Sequence, residues 1–300
     1  MPTARRCNDA AAALFFRRAF ARNAEGAEYM KLKLALAAFI CAVPLSAARA
    51  DAVMPLAAHR AAYQISLGKG AGSQSPVSAS GLIAYEFRGS SCEGYAANFR
   101  QVTELQRGEG APISSDTKAV TFEDGQAKTL RFRIDTTLSD SPQSPIDGSA
   151  SRSDAGDISV NLSQPKEETL ALGKDILFPT QHIAHIIDTA KSGGSVLEAR
   201  VFDGSDTGEK IFDTLTVVGK EATAPSEDAA KAEPLKGLRR WPVAISYFDA
   251  AKKDAAPEYI LSFDLYENGV SGSLKLDYGT FSLAAQLTQL ELLPSAPCAK

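Results

Sequence analysis

From Trp241 to Leu293 apolar and polar residues alternate, and that pattern leaves few folds open. Trp241-Pro242-Val243-Ala244-Ile245-Ser246-Tyr247-Phe248 is followed by Tyr259-Ile260-Leu261-Ser262-Phe263-Asp264-Leu265-Tyr266. Leu274-Lys275-Leu276-Asp277 and Phe281-Ser282-Leu283 complete it. A period near two with β-branched and aromatic residues marks half-buried strands. Asn268-Gly269 and Tyr278-Gly279 interrupt the runs. Asn-Gly is the strongest short hairpin signal, because a two-residue type I′ turn needs φ > 0 at both centres. The stretch therefore reads as an antiparallel meander.

The rest of the chain after residue 50 repeats the theme. Runs at 59–67, 81–88, 94–106, 119–122 and 129–137 alternate, and weaker ones lie at 146–153, 157–162 and 167–172. Strands resume at 195–202 and 210–218. A strand every ten to fifteen residues points to an all-β sheet, not to βαβ units. One helix interrupts it. Pro179-Thr180 opens the segment, Ile183, Ile186, Ile187 and Ala190 share a face, and Gly193-Gly194 ends it. Proline in the first turn and glycine past the end is the expected asymmetry. Residues 221–236 read as a mobile loop, and 51–300 as one β-dominated domain.

The N-terminus belongs elsewhere. Lys31 and Lys33 precede the apolar run 34–43, and Ala48-x-Ala50 follows before Asp51. Basic residues, a short apolar core and a small-residue site make a secretory signal peptide over 30–50, cleaved after Ala50. The run is too short to span a bilayer. The bland reading is a buried apolar helix. Cys41 sits behind bulky Phe39-Ile40, so a lipid anchor is not expected. Because the pattern begins at Met30, residues 1–29 read as a non-native upstream extension. The rival is a basic amphipathic arm carrying Arg5, Arg6, Arg17, Arg18 and Arg22.

Cleavage would remove eight of 32 Lys/Arg and three of 36 Asp/Glu, leaving a net charge near −9. Such a chain is a poor match for nucleic acid or for polybasic membrane anchoring. It would also remove Cys7 and Cys41 and leave Cys92 and Cys298. A lone pair in an exported chain reads as a disulfide, with two free thiols as the alternative. No Cys-x-x-Cys supports a redox role.

Catalytic signals are weak. His182 and His185 lie three apart on the helix, a metal-like spacing without a third ligand. Their helical phase instead suggests one packed histidine and one on the surface. Asp206-Thr207-Gly208 has the form of an aspartic-protease turn, but one copy cannot supply the two carboxylates that share a proton. The same loop lacks the acidic twelfth position of a calcium loop, which is Thr214 here. A tight Asp/Gly turn is the simpler reading. Nothing calls for a metal or a cofactor.

Longer motifs carry a resemblance. Leu177-Phe178-Pro179-Thr180-Gln181-His182, Phe202-Asp203-Gly204-Ser205, Trp241-Pro242-Val243 and Ser246-Tyr247-Phe248-Asp249 resemble segments of the EipB family. So do Leu265-Tyr266-Glu267-Asn268-Gly269-Val270, Leu276-Asp277-Tyr278-Gly279 and His59-Arg60-Ala61-Ala62-Tyr63. The likeness runs over about 56–298, is most specific in the C-terminal half, and leaves 1–29 outside. It implies an exported, periplasmic protein of the alphaproteobacterial envelope with no known catalytic residues. The implied fold is a β-spiral: one antiparallel sheet curled into an open half-barrel around a helix, akin to lipoprotein carriers. The resemblance also implies a disulfide between an N-terminal strand and the C-terminal tail, at Cys92 and Cys298, and a periplasmic tetratricopeptide-repeat protein as partner.

Two classes of function follow. The first is a non-enzymatic envelope factor whose concave sheet binds a lipid, a lipoprotein or a protein. Tyr259, Leu261, Phe263 and Leu265 share one face, with Tyr247 on the neighbouring strand, and these five are the candidate binding residues. The second is an envelope-acting hydrolase using the Asp203–Glu209 loop or His182 and His185.

Overall fold

The computed structural model describes residues 56–70, 75–224, 233–252, 255–294 and 298. The expected signal peptide, its expected cleavage site and residues 1–29 lie outside them. Sixteen strands are present among the described residues. They are β1 (His59–Gly70), β2 (Ser78–Ser90), β3 (Gly94–Gln106), β4 (Ile113–Glu123), β5 (Thr129–Leu138), β6 (Ser141–Pro142), β7 (Ile146–Arg152), β8 (Ile158–Gln164) and β9 (Glu168–Gly173). After them come β10 (Ile176–Leu177), the helix α1 (Pro179–Lys191), β11 (Val196–Val201), β12 (Phe212–Val218), β13 (Arg240–Asp249), β14 (Tyr259–Tyr266), β15 (Ser271–Asp277) and β16 (Phe281–Leu292).

All strands join one sheet in the order β10-β11-β12-β13-β14-β15-β16-β1-β2-β3-β4-β5-β7-β8-β9, with β6 beside β5. Pairing is antiparallel except for the short β10–β11 contact. The sequence neighbours β9 and β10 are the two ends of this path, so the sheet curls until its ends meet. It is nearly closed and barrel-like.

Side chains, not a ladder, make the closing seam. Phe202, just past β11, meets Phe132 of β5 edge to face, with centroids 5.6 Å apart. Phe178, Phe202 and Ile176 join Leu130, Phe132, Ala150, Ile158, Val160 and Leu162 in one buried cluster. Gly204, at φ +75°, lies flat on the Phe132 ring, where any Cβ would overlap it. The loop Asp203–Glu209 is therefore the tight turn that lets one end of the sheet seat against the other.

Register places the interior face. Trp241, Val243, Ile245 and Tyr247 of β13 lie opposite Leu265, Phe263, Leu261 and Tyr259 of β14. Residues directly opposite share a face, so Ile245 and Tyr247 lie with Leu261 and Tyr259, while Ala244 and Phe248 belong to the other face. The same face of β12 carries Phe212, Thr214, Thr216 and Val218. On the far wall it carries Tyr85 and Phe87 of β2, Tyr95 and Ala97 of β3, and Glu123 of β4. Helix α1 lies between these walls. Ile186, Ile187 and Ala190 pack with Val218, Val243, Ile245, Phe263 and Leu265 on one side and Phe87 and Tyr95 on the other.

Several details differ from the sequence expectations. The Asn268-Gly269 hairpin forms between β14 and β15, but only Gly269 has positive φ, at +86°. Gly269 N donates to Tyr266 O, and Asn268 Oδ1 accepts from Val270 N, so the turn is longer than a two-residue type I′. Cys92 sits in the turn between β2 and β3, not in a strand. The 221–236 segment is anchored at both ends: Ala222 N bonds Arg240 O, and a single 3₁₀ turn at Glu233–Leu235 buries Leu235. Strand β16 runs to Leu292, well past the three residues whose alternation announced it.

Candidate functional site

The concave face divides at the end of the helix. Phe263 and Leu265 lie beneath α1 and are fully part of the core. Leu261 is half-buried at its margin. Beyond it five rings sit side by side across consecutive strands. Phe212 meets Tyr247 and Tyr259 edge to face, at 5.6 and 6.2 Å between centroids. Tyr247 and Tyr259 stack at 4.6 Å, Tyr259 reaches Tyr278 at 6.3 Å, and Tyr278 stacks on Phe281 at 5.1 Å. Tyr278, 38% exposed, is the ring of the row most open to solvent. Sequence reading found Tyr247 and Tyr259. It missed Phe212, Tyr278 and Phe281, because strand alternation says which residues share a face but not which strands lie side by side.

The chemistry of this wall is apolar with a charged lip. Burial pushes the Tyr247 and Tyr259 phenols well above their ordinary range, and the Asp203 charge adds to it. Neither phenol is a source of nucleophilic phenolate. Lys210 Nζ, beside the Phe212 ring at 5.4 Å, bonds Asp206 at 2.5 Å and Glu258 at 3.0 Å. Lys252 joins Asp249 at 3.1 Å and Glu258 at 3.2 Å. These ion pairs tie the seam loop to the end of the β13–β14 hairpin.

The residues of the hydrolase reading are not brought together into an acid–base pair by any contact among the described residues. Asp203 Oδ1 accepts from Ser205 N, closing its own turn. Asp206 is engaged with Lys210. His182 is buried, and desolvation lowers its pKa to about 4, so the ring is neutral across the physiological range. His185, one turn further along the helix, is exposed to solvent. Among the described residues no three His, Cys, Asp or Glu side chains are grouped as metal ligands would be.

The opposite end of α1 has its own polar clamp. The buried carboxylate of Glu123 accepts from Thr180 N at 2.8 Å and Gln181 N at 3.1 Å, capping the helix N-terminus from β4. Arg152 spans the seam, donating to Ala127 O, Ile176 O and Gln181 Oε1 while lying 5.0 Å from the Phe178 ring centre. A cavity of about 100 Å³ remains between the helix and β1–β4, walled by His59, Tyr85, Phe87, Thr180 and Ile183. The Cys92–Cys298 disulfide fastens the C-terminal tail to the β2–β3 turn, with Cα atoms 5.7 Å apart.

A nearly closed antiparallel sheet, an internal helix and one long-range disulfide define a barrel-like β protein. Comparison with known proteins names it more narrowly. The EipB-like family model matches residues 50–294. The cell envelope integrity protein EipB of Brucella abortus is 36% identical over 248 residues, which cover 82% of this chain and 88% of that protein. A crystal structure of a β-barrel-like protein of a domain of unknown function, also from Brucella abortus, superposes with a TM-score of 0.75 at 34% identity, covering 80% of this chain and all of the other. The chain belongs to the EipB-like family.

Proposed function

We propose that this protein is a non-enzymatic, extracytoplasmic factor that supports the integrity of the cell envelope by binding a partner on its concave aromatic wall. The row Phe212, Tyr247, Tyr259, Tyr278 and Phe281 carries this reading. Phe212 is buried and Tyr247, Tyr259 and Phe281 are half-buried, so the row opens to solvent at Tyr278, and aromatic surface that reaches water there is where a partner would dock. The name of the 36% identical relative supports the envelope role, and a disulfide fits an oxidising compartment. A lipid, the acyl chain of a lipoprotein, or an apolar face of a periplasmic tetratricopeptide-repeat protein would each suit this wall.

The test is complementation of an envelope-sensitive deletion strain. A variant with Tyr247→Ser and Tyr259→Ser, folded by circular dichroism, should fail to restore resistance. A folded variant carrying Asp203→Ala, Asp206→Ala, His182→Ala and His185→Ala should restore it. The reverse outcome would return the protein to the enzymes. Native mass spectrometry of protein taken from periplasm then identifies what the wall carries.

A further inference from the structure

The outer face of the sheet has a groove of its own, of about 530 Å³, across β4, β5, β7 and β8. It lies on the side away from the helix and the aromatic row. Register builds its floor. Phe122 of β4 is opposite Arg131 of β5, Arg131 is opposite Ser149 of β7, and Ser149 is opposite Asn161 of β8. Opposed residues share a face and adjacent strands are about 4.8 Å apart, so these four form one lateral row. A second row sets Val120, which is 46% exposed, beside Arg133 and Asp147.

The donors of the first row are uncommitted. Thr169 Oγ1 donates to Asn161 Oδ1 at 2.9 Å, which fixes the amide so that its NH₂ is left to donate elsewhere. Arg131 and Ser149 make no side-chain hydrogen bond or ion pair with any described residue. The other cation is different. Arg133 is held by Asp135 at 3.0 Å and Asp147 at 2.9 Å. Ser163 is likewise spent on Asp147 O. The groove thus offers three side-chain donors in line, one of them an unneutralised guanidinium, beside the apolar surface of Val120 and Phe122.

We propose that this groove binds a small organic monocarboxylate, its oxygens held by Arg131 with Ser149 and Asn161 and its apolar body laid on Val120 and Phe122. The guanidinium fork matches a carboxylate in two parallel hydrogen bonds. One free cation balances one negative charge, and Asp147 at the margin opposes a second, so a monoanion is preferred to a phosphate dianion.

The test is an amide NMR titration of the isotopically labelled mature protein with hexanoate, hexanol and hexyl phosphate. Hexanoate should shift the amides of Val120, Phe122, Arg131, Ser149 and Asn161 in a saturable way. Hexanol should bind at least tenfold more weakly, and hexyl phosphate should not exceed hexanoate. Arg131→Gln should weaken hexanoate tenfold or more with amide shifts elsewhere unchanged, and Arg131→Lys, which keeps the charge and loses the fork, should fall between. Equal binding of hexanoate and hexanol, no loss in Arg131→Gln, tighter binding of hexyl phosphate, or shifts confined to the Tyr247–Tyr259 wall would each overturn the assignment. This site stands apart from the concave wall, so failure at one leaves the other untouched.

Discussion

Replacing Glu123 by glutamine should flatten part of the dependence of stability on pH. Glu123 is 3% exposed and caps α1 through Thr180 N and Gln181 N. Two forces compete there. Loss of water disfavours the carboxylate, whereas two N–H donors at a helix N-terminus favour it. Desolvation is the larger, and the group is pushed up from 4.5 to about 7. A carboxyl with a raised folded pKa binds more protons when folded. Its stabilising contribution is therefore full below about pH 4.5 and is lost as pH rises through 7. At about 1.4 kcal/mol for each unit, linkage gives roughly 2.5 kcal/mol lost between pH 5 and pH 8.

Glutamine has no charge to desolvate and keeps one acceptor for the helix. Urea unfolding followed by fluorescence of Trp241, the single tryptophan and a buried one, reads both proteins at the two pH values. The buried histidines act on both proteins alike and cancel in the difference. Glu123→Gln should gain roughly 2 to 3 kcal/mol relative to the parent on going from pH 5 to pH 8. A difference that stays constant within about 0.5 kcal/mol refutes the raised pKa. A change of opposite sign would mean that the helix N-terminus outweighs burial.

The remaining expectations are simpler to read. His182 has a folded pKa lowered to about 4, so stability should fall as pH drops from 6.5 to 4, by up to about 3 kcal/mol; His182→Leu should remove that fall in the same urea assay. Gly204→Ala places a Cβ against the Phe132 ring at positive φ, and should cost about 1–3 kcal/mol, visible as a lower thermal midpoint; an unchanged midpoint would mean that the seam is not packed as described. Reducing Cys92–Cys298, which closes 206 residues, should lower the midpoint by several degrees, since a bridge contributes about 2–4 kcal/mol; free-thiol titration of native protein should find none before reduction. N-terminal sequencing of the exported protein should begin at Asp51.

What the sequence disclosed follows from which physical signals are local. Helix α1 was legible to the residue at its start, because Pro179 and the spacing of Ile183, Ile186, Ile187 and Ala190 depend only on neighbours within two turns. Strand β3 was equally legible. Its residues face a buried wall on one side, and alternation records that. The first half of β4, Ile113 to Lys118, carries no such record: it is mostly Ser, Asp, Thr and Lys, and pairing with β3 and β5 alone holds it in the sheet. Strand β16 is obscured differently, because Ala284-Ala285-Gln286-Leu287 fits a helix as readily as a strand, and its place between β15 and β1 decides the matter. Closure was the least legible feature. Phe132 and Phe202 are 70 residues apart, and no local pattern says that they touch. That contact turns an open curl into a nearly closed barrel. It also gives a structural job to the loop that most resembled a catalytic turn: Gly204 is glycine because a ring lies on it, and Asp206 is held by Lys210. The aromatic row has the same origin. Five rings drawn from β12, β13, β14, β16 and the turn before β16 become neighbours only when the strand order is known, and for that reason the two tyrosines found by alternation were less than half of the wall.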